Sequence, residues 1–162
     1  MKKFMTTAAL LGTMFLALST GVALAATLDG TAGGDNLKGT AKSDVLKGLG
    51  GDDSLAGSGG DDLLLGGKGH DGLYGGPGHD TLRGGPGDDR TEERRVHGGS
   101  GDDTLYGDAG EDGLYGGPGD DTVHSAGDNE GDYVDCCSGT DTVEKGSDSR
   151  HDRFVGCERF VK

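Results

Sequence analysis

The chain has 162 residues, of which 36 are glycine, and its 29 acidic residues outnumber its 15 basic residues to give a formal net charge of −14 at pH 7. This acidity argues against nucleic acid or an anionic membrane surface as the partner. The length fits a single domain. Composition alone favours disorder, because only 31% of the residues are hydrophobic and the charges repel one another. A folded state therefore needs a more specific signal.

The first predicted element is a signal peptide at residues 1–25. Lys2 and Lys3 precede an apolar run at residues 8–18, and Ala23-Leu24-Ala25 supplies small residues for cleavage. The apolar run is too short, and too interrupted, to predict a membrane span. We therefore expect cleavage after Ala25 and a secreted, extracellular mature chain with no membrane-spanning segment.

A nine-residue period begins at Gly30. Its best copies are GGKGHDGLY from Gly66, GGPGHDTLR from Gly75 and GGSGDDTLY from Gly98, so the repeat is G-G-x-G-x-D-x-U-x with U aliphatic. A glycine-rich turn exposes backbone carbonyl oxygens beside a carboxylate, and the triplet that follows can form one short strand. Oxygen ligands of this kind suit a hard cation such as Ca²⁺.

The pattern resembles the hemolysin-type calcium-binding repeats of the RTX (repeats-in-toxin) family over Gly30 to Glu144. The resemblance implies an all-β fold, a parallel β-roll or β-solenoid, whose turns alternate between two edges and whose aliphatic residues point inward. It also implies that several Ca²⁺ ions lie between turns stacked on one edge, eighteen residues apart in sequence. The implied metal ligands are the repeat aspartates: Asp35, Asp44, Asp53, Asp62, Asp71, Asp80, Asp89, Asp103, Asp112, Asp121, Asp132 and Asp141.

Pairing these aspartates gives five same-edge pairs before an insertion and three after it, and hence up to about eight Ca²⁺ ions. The opening copies are the weakest, since Lys42 occupies a turn position that is normally glycine. We expect that turn to bind metal poorly and to act as an N-terminal cap. The acidic residues that precede the repeat aspartates, such as Asp52 and Asp61, are expected to point to water. Because the inward aliphatic residues are few, metal binding and folding should be one coupled event.

The repeat frame is interrupted near residues 90–97. The copy at Gly84 is followed fourteen residues later by the copy at Gly98, and the extra residues lie within RTEERRVH. We expect a surface bulge, with Val96 restoring the inward position. A binding loop or a cleavage site at Arg94-Arg95 is the less favoured alternative. The β-roll is thus predicted to span residues 26–144.

Residues 145–162 are predicted to form a C-terminal cap. There the glycine pattern fades, and Phe154 and Phe160 suit the last inward side chains of a solenoid, which have no next turn to cover them. An oxidising compartment predicts one disulfide from Cys157 to Cys136 or Cys137, and one thiol is left over.

This C-terminal stretch also resembles a segment that follows such repeats in secreted bacterial calcium-binding proteins. That segment starts with D-x-V-x-C-G and has C-E near its end. The matching residues here are Asp132, Val134, Cys136, Cys157 and Glu158. The resemblance implies a disulfide between Cys136 and Cys157, although Cys137 stands where the pattern has glycine.

Other functions find little support in the sequence. No G-x-S-x-G or H-E-x-x-H motif is present, so we predict no enzyme, and the five histidines do not pair at a zinc-ligand spacing. Tyr74, Tyr106 and Tyr115 end their repeats and could stack on sugars, but tyrosine also simply favours strands. We therefore predict a secreted calcium-ion-binding repeat protein. The alternative is an extracellular adhesion or matrix module whose calcium-ordered surface binds a polymer or a cell-surface partner.

Overall fold

The computed structural model of the protein describes residues 24–91, 94–125, 128, 130–146 and 151–161. Every regular element in these ranges is a β-strand: β1 (Thr27–Asp29), β2 (Asn36–Lys38), β3 (Val45–Gly50), β4 (Ser54–Ala56), β5 (Leu63–Lys68), β6 (Gly72–Pro77), β7 (Thr81–Pro86), β8 (Arg90–Thr91), β9 (Arg94–Ser100), β10 (Thr104–Ala109), β11 (Gly113–Pro118), β12 (Thr122–His124), β13 (Tyr133–Ser138), β14 (Thr142–Glu144), β15 (Arg153–Val155) and β16 (Arg159–Val161). No helix within the described ranges is long and apolar enough to cross a membrane.

The strands form two parallel sheets that the chain visits alternately, and this arrangement confirms the predicted β-roll. The roll has about seven turns. The first sheet has the order β1-β3-β5-β7-β10-β12-β14-β16, and the second has the order β15-β13-β11-β9-β6-β4-β2. In the regular part of the roll, paired residues lie eighteen apart, as in Leu46 with Leu64 and Leu55 with Leu73. One full turn of the roll is therefore two repeats.

The core is a double row of inward side chains, one from each strand. Every aliphatic residue at this position from Leu46 to Val143 is fully buried. At the two ends Leu28, Leu37 and Phe154 are only partly buried, and Phe160 is 45% exposed. The middle residue of each strand triplet thus supplies the buried apolar surface that stabilises the roll.

The turns need glycine where the backbone enters the left-handed region. Gly67 and Gly69, the second and fourth residues of one turn, have φ values of 116° and 133°, and a Cβ at either position would overlap a carbonyl oxygen of the turn before it. Non-glycine residues also occupy the second turn position with positive φ, at a steric cost that glycine avoids; these are Leu49, Ser58, Asp108 and Cys137.

The insertion forms a β-hairpin that leaves the roll after Asp89 and returns at Val96. Strands β8 and β9 pair antiparallel, with Arg90 opposite Arg95. Val96 is fully buried and pairs with Leu73 and Leu114 of the neighbouring turns, so the prediction that it restores the inward position is confirmed. The hairpin base lies against Gly113, where a Cβ would be 3.4 Å from the Arg90 Cα.

The C-terminal segment continues the solenoid. Strands β15 and β16 pair with β13 and β14, which places Phe154 and Phe160 at inward positions, with their rings 5.3 Å apart in an edge-to-face contact. A disulfide joins Cys136 to Cys157, and Cys137 is an exposed free cysteine. The predicted pairing is confirmed. The predicted signal peptide, residues 1–25, lies outside the described residues except for its last two positions.

Candidate metal centre

The twelve predicted metal-ligating aspartates lie in two rows, one along each edge of the roll. The first row precedes the strands of the first sheet and contains Asp44, Asp62, Asp80, Asp103, Asp121 and Asp141. The second row precedes the strands of the second sheet and contains Asp35, Asp53, Asp71, Asp89, Asp112 and Asp132. Apart from Asp35, which is partly exposed, all of these side chains are buried.

Within each row the aspartates form a hydrogen-bonded ladder. The backbone N–H of each aspartate donates to the Oδ1 atom of the next one along the row, at 2.5–3.1 Å from N to O. A strand register of two repeats brings these groups together, because it stacks turn upon turn in the same conformation. One oxygen of each carboxylate is thereby held in place.

The second oxygen, Oδ2, has a different environment. Among the described residues no hydrogen-bond donor reaches the buried Oδ2 atoms of Asp53, Asp62, Asp80, Asp89, Asp103, Asp112, Asp121 and Asp141. A buried carboxylate oxygen without a donor costs folding free energy unless a cation neutralises it.

In the described repeats that begin with glycine, this first glycine lies directly beside the Oδ2 atom. A Cβ at Gly48 would overlap both Asp53 Oδ2 and the Gly66 carbonyl oxygen, and a Cβ at Gly57 would overlap Asp62 Oδ2 and the Gly75 carbonyl oxygen. A carboxylate oxygen from one turn and a carbonyl oxygen from the turn stacked on it thus flank the same glycine. Both are the hard oxygen donors that Ca²⁺ binds.

Burial disfavours the ionised form of these carboxyl groups when no positive charge is nearby. Removal from water is the main effect, and it raises the pKa of Asp53 and Asp62 to about 6. The hydrogen bond from the backbone N–H of the preceding aspartate in the row lowers the pKa, but by less. The same effect raises the pKa of Asp103 to about 7 and that of Asp112 to about 8, and the charges of same-edge neighbours add to it. The rows therefore favour a bound positive charge or a proton.

Side chains alone do not complete a metal site. Within the described ranges, no three His, Cys, Asp or Glu side chains converge as a metal-ligating group. A cation held by one or two carboxylates must take its remaining ligands from backbone carbonyl groups or water. Ca²⁺, which takes six to eight oxygen ligands of mixed type, fits this donor set better than Zn²⁺, which prefers histidine and cysteine.

The first two turns differ from the others. Asp35 Oδ2 accepts hydrogen bonds from the backbone N–H and hydroxyl of Thr31, and Asp44 Oδ2 accepts one from the backbone N–H of Thr40. Lys42 lies in the second of these turns, where its N–H donates to the Thr40 hydroxyl. Donors within the turn thus bond to Oδ2, the oxygen atom that no donor reaches in the eight buried aspartates named above, and this agrees with a capping role.

The ladders continue where the nine-residue count breaks. Across the insertion, the backbone N–H of Asp80 donates to Asp103 and that of Asp89 donates to Asp112, so the insertion does not interrupt the stacking of the turns. The residues of these two pairs are twenty-three apart in sequence. The prediction of five same-edge pairs before the insertion and three after it did not include them.

At the C-terminal end each ladder gains one acidic residue that the repeat pattern did not identify. Asp132 donates to Asp152 Oδ1 and Asp141 donates to Glu158 Oε2. The available signal was Asp152 and Glu158 two places before Phe154 and Phe160, the same acid-x-apolar order as in the repeats, but the pair of glycines that opens most other turns is absent there and only Gly156 stands at a turn position, two places before Glu158.

A second ladder runs along the outside of the turns, and its acids are exposed to water as expected but also make hydrogen bonds. Asp61, Asp102 and Asp120 are exposed, yet the Oδ1 atom of each accepts the backbone N–H of the equivalent residue in the next turn, at 2.8–3.0 Å. His79 belongs to this row, and its Nδ1 accepts the Asp102 N–H at 3.1 Å. These side chains therefore help to fix turn stacking.

Comparison with known protein families agrees with this geometry. The family model of the RTX calcium-binding nonapeptide repeat (4 copies) matches residues 29–64, 57–90 and 95–129, which together are more than half of the chain. The searches of curated proteins and of solved structures returned no match. With its parallel β-solenoid and its stacked Gly–Asp turns, the chain belongs to the family of RTX calcium-binding repeat proteins.

Proposed function

We propose that this chain is a secreted calcium-ion-binding protein that folds as Ca²⁺ binds between its stacked Gly–Asp turns. The observation that carries the proposal is the series of eight buried Oδ2 atoms that no donor among the described residues reaches. At five of them a Cβ on the first glycine of the turn would lie within 3.0 Å of both the Oδ2 atom and a carbonyl oxygen of the next turn on the same edge; these are Asp53, Asp62, Asp80, Asp89 and Asp103. Eight such atoms in two rows are too regular for isolated turn-forming aspartates. Secretion is supported by the signal-peptide pattern of residues 1–25.

In this proposal the repeat aspartates and the first glycines of the stacked turns hold the ions. A Ca²⁺ ion supplies the positive charge that the buried carboxylates lack. The aspartate backbone N–H orients the neighbouring carboxylate through Oδ1 and leaves Oδ2 for the cation. Glycine at the first turn position keeps the approach open, since any side chain there would fill the space between the two oxygen atoms.

Circular dichroism in a chelator and then in millimolar Ca²⁺ tests the coupling of folding to binding. We expect little β structure without metal, because carboxylate repulsion and the small core leave the roll unstable, and a strong gain of β signal with Ca²⁺. Mg²⁺ at the same concentration is the control and should substitute poorly, since it is smaller and retains its water ligands. Identical spectra with and without Ca²⁺ would contradict the proposal.

The adhesion or matrix module remains a second candidate because of one surface feature. Tyr74, His97, Tyr115 and Tyr133 form a continuous row of rings across the outer face of the second sheet, with neighbouring centroids 5.6–6.3 Å apart, and Arg95 lies over the Tyr115 ring. Such a row suits contacts with a polymer. Retention on insoluble polysaccharides in Ca²⁺ that is lost in a Tyr74→Ala/Tyr115→Ala variant with unchanged β signal would favour this candidate.

A further inference from the structure

The two ends of the roll are complementary to each other. Strands β1 and β2 form one end and β15 and β16 form the other, and none of the described strands pairs with their outer edges. Incomplete burial of inward side chains is confined to these ends, at Leu28, Leu37, Phe154 and Phe160, whereas the inward residues from Leu46 to Val143 are fully buried.

The backbone groups at the two ends also match. In β1, the Ala26 carbonyl and the Gly30 N–H bond to β3, so Thr27 and Asp29 direct their N–H and C=O groups outward. In β16, the Arg159 N–H donates to the Asp141 carbonyl and the Val161 carbonyl accepts from the Lys145 N–H, on the side of β14. The backbone N–H and C=O of Phe160 therefore point outward. A parallel ladder forms when one residue of a strand lies between two outward residues of its neighbour. Phe160 between Thr27 and Asp29 of a second copy meets this condition.

The second sheet gives the same result. The Asp35 carbonyl bonds to Ser54 and the Gly39 N–H bonds to Ala56, while the Arg153 N–H bonds to Asp132. Asn36 and Lys38 at one end, and Phe154 at the other, therefore carry the outward backbone groups. The carboxylate row continues as well, since Asp152 would follow Asp132 and precede Asp35 of the next copy in the register of the ladder.

Side chains at such a junction would be compatible. Continuing the register of each sheet places Leu28 on Phe160 and Leu37 on Phe154, which completes the burial of all four. The outer positions would pair Thr27 with Arg159, Asp29 with Val161, Asn36 with Arg153 and Lys38 with Val155. Within these strand pairs no like charges become direct cross-strand neighbours, an arrangement that would destabilise the pairing.

We propose that calcium-bound copies of this chain stack head to tail, the β1/β2 end of one on the β15/β16 end of the next. The contact is heterologous and its translation along the roll axis does not close, so it generates open filaments rather than dimers. Each junction consists of two three-residue strands and their turns, which is smaller than a standard interface. Assembly should therefore be weak and should grow with concentration. The proposal rests on the proposed calcium-dependent folding, because the ends exist only in the folded roll.

Sedimentation in Ca²⁺ over a range of concentrations tests this, with the protein expressed with its own residues 1–25 and its N-terminus defined by mass spectrometry. We expect the weight-average mass to rise beyond about twice that of the monomer. A Thr27→Pro/Asn36→Pro variant removes two outward N–H groups that the monomer does not use within its sheets, and it should stay monomeric with unchanged circular dichroism. The matched control, Thr27→Ala/Asn36→Ala, keeps both N–H groups and should assemble like the parent.

Three results would overturn the proposal: a folded parent that stays monomeric at every concentration, a mass that stops at a dimer, or a proline variant that assembles as fully as the alanine control. A parent without β signal in Ca²⁺ would overturn the proposed function and this proposal together. A folded monomer would overturn this proposal alone.

Discussion

At the scale of single residues, the two oxygen atoms of each repeat aspartate have separate tasks. Oδ1 accepts a backbone hydrogen bond that fixes the stacking register, whereas the buried Oδ2 atoms of eight repeat aspartates, Asp62 among them, accept none from the described residues. In the first two turns, threonine donors complete the carboxylate instead. The repeat therefore contains carboxylates that need a cation and carboxylates that do not.

This difference predicts unequal effects of one substitution at two positions of the same row. Asp62→Asn should remove bound Ca²⁺ and weaken the apparent affinity several-fold, because Oδ2 of Asp62 is buried beside Gly57 without a donor. Asp44→Asn is the matched control and should change the affinity little, since Thr40 already bonds to that carboxylate. Calorimetric titration measures both variants. Equal losses would mean that the Thr40 turn binds metal like the others.

At the scale of elements, the C-terminal strands depend on side chains other than glycine and aspartate. Phe154 and Phe160 supply the last inward layer, and the Lys145 Nζ lies 3.8 Å from the Phe160 ring centroid and 4.7 Å from the Phe154 centroid. The Cys136–Cys157 disulfide, with a sequence separation of 21, ties the turn between β15 and β16 to Cys136, which is fully buried in the core.

Loss of this disulfide should therefore loosen β15 and β16 first. Cys157→Ser is expected to lower the free energy of unfolding in Ca²⁺ by up to about 3 kcal/mol, the value for a loop of this length, and to speed amide hydrogen exchange in residues 151–161. Cys137→Ser, which removes the exposed free thiol, is the control and should leave both quantities unchanged. Equal protection of the C-terminal strands in the two variants would show that the disulfide does not hold them.

At the scale of the whole molecule, the proposed function makes stability depend on charge. The chain carries a formal net charge of −14, and its two ladders bury carboxylates with raised pKa values, from about 6 for Asp53 to about 8 for Asp112. A carboxyl group whose pKa is higher in the folded than in the unfolded chain stabilises the fold when protonated. That contribution is full below the unfolded pKa and is lost as pH rises through the folded one.

The metal-free protein should accordingly gain β structure on acidification. Between pH 8 and about pH 4 the buried carboxylates take up protons in place of a cation, so the fold no longer contains unneutralised buried charge. Calcium affinity should fall over the same interval, since protons and Ca²⁺ compete for the same oxygens. Circular dichroism of calcium-free protein over this pH range measures the first effect and calorimetry the second. A metal-free protein with no more β signal at pH 4 than at pH 8 would contradict this account.

The sequence by itself determined the repeat unit, the inward aliphatic row and the carboxylates of the two edges. A nine-residue period with one glycine-rich turn and one short strand has few ways to bury its apolar residue, and stacking at two repeats per turn is the one that also pairs the backbone. The resemblance to known repeats added the pairing of Cys136 with Cys157.

Only the tertiary structure decided how the irregular segments fit. The hairpin at the insertion, the ladder pairs that span it and the entry of Asp152 and Glu158 into the rows depend on which residues lie next to each other across sheets, and a count of nine does not carry that information. The threonine bonds that distinguish Asp35 and Asp44 likewise arise from turn conformation. Local spacing in the sequence determines the conformation of the repeat unit. Contacts between turns determine the positions of the residues that break the repeat.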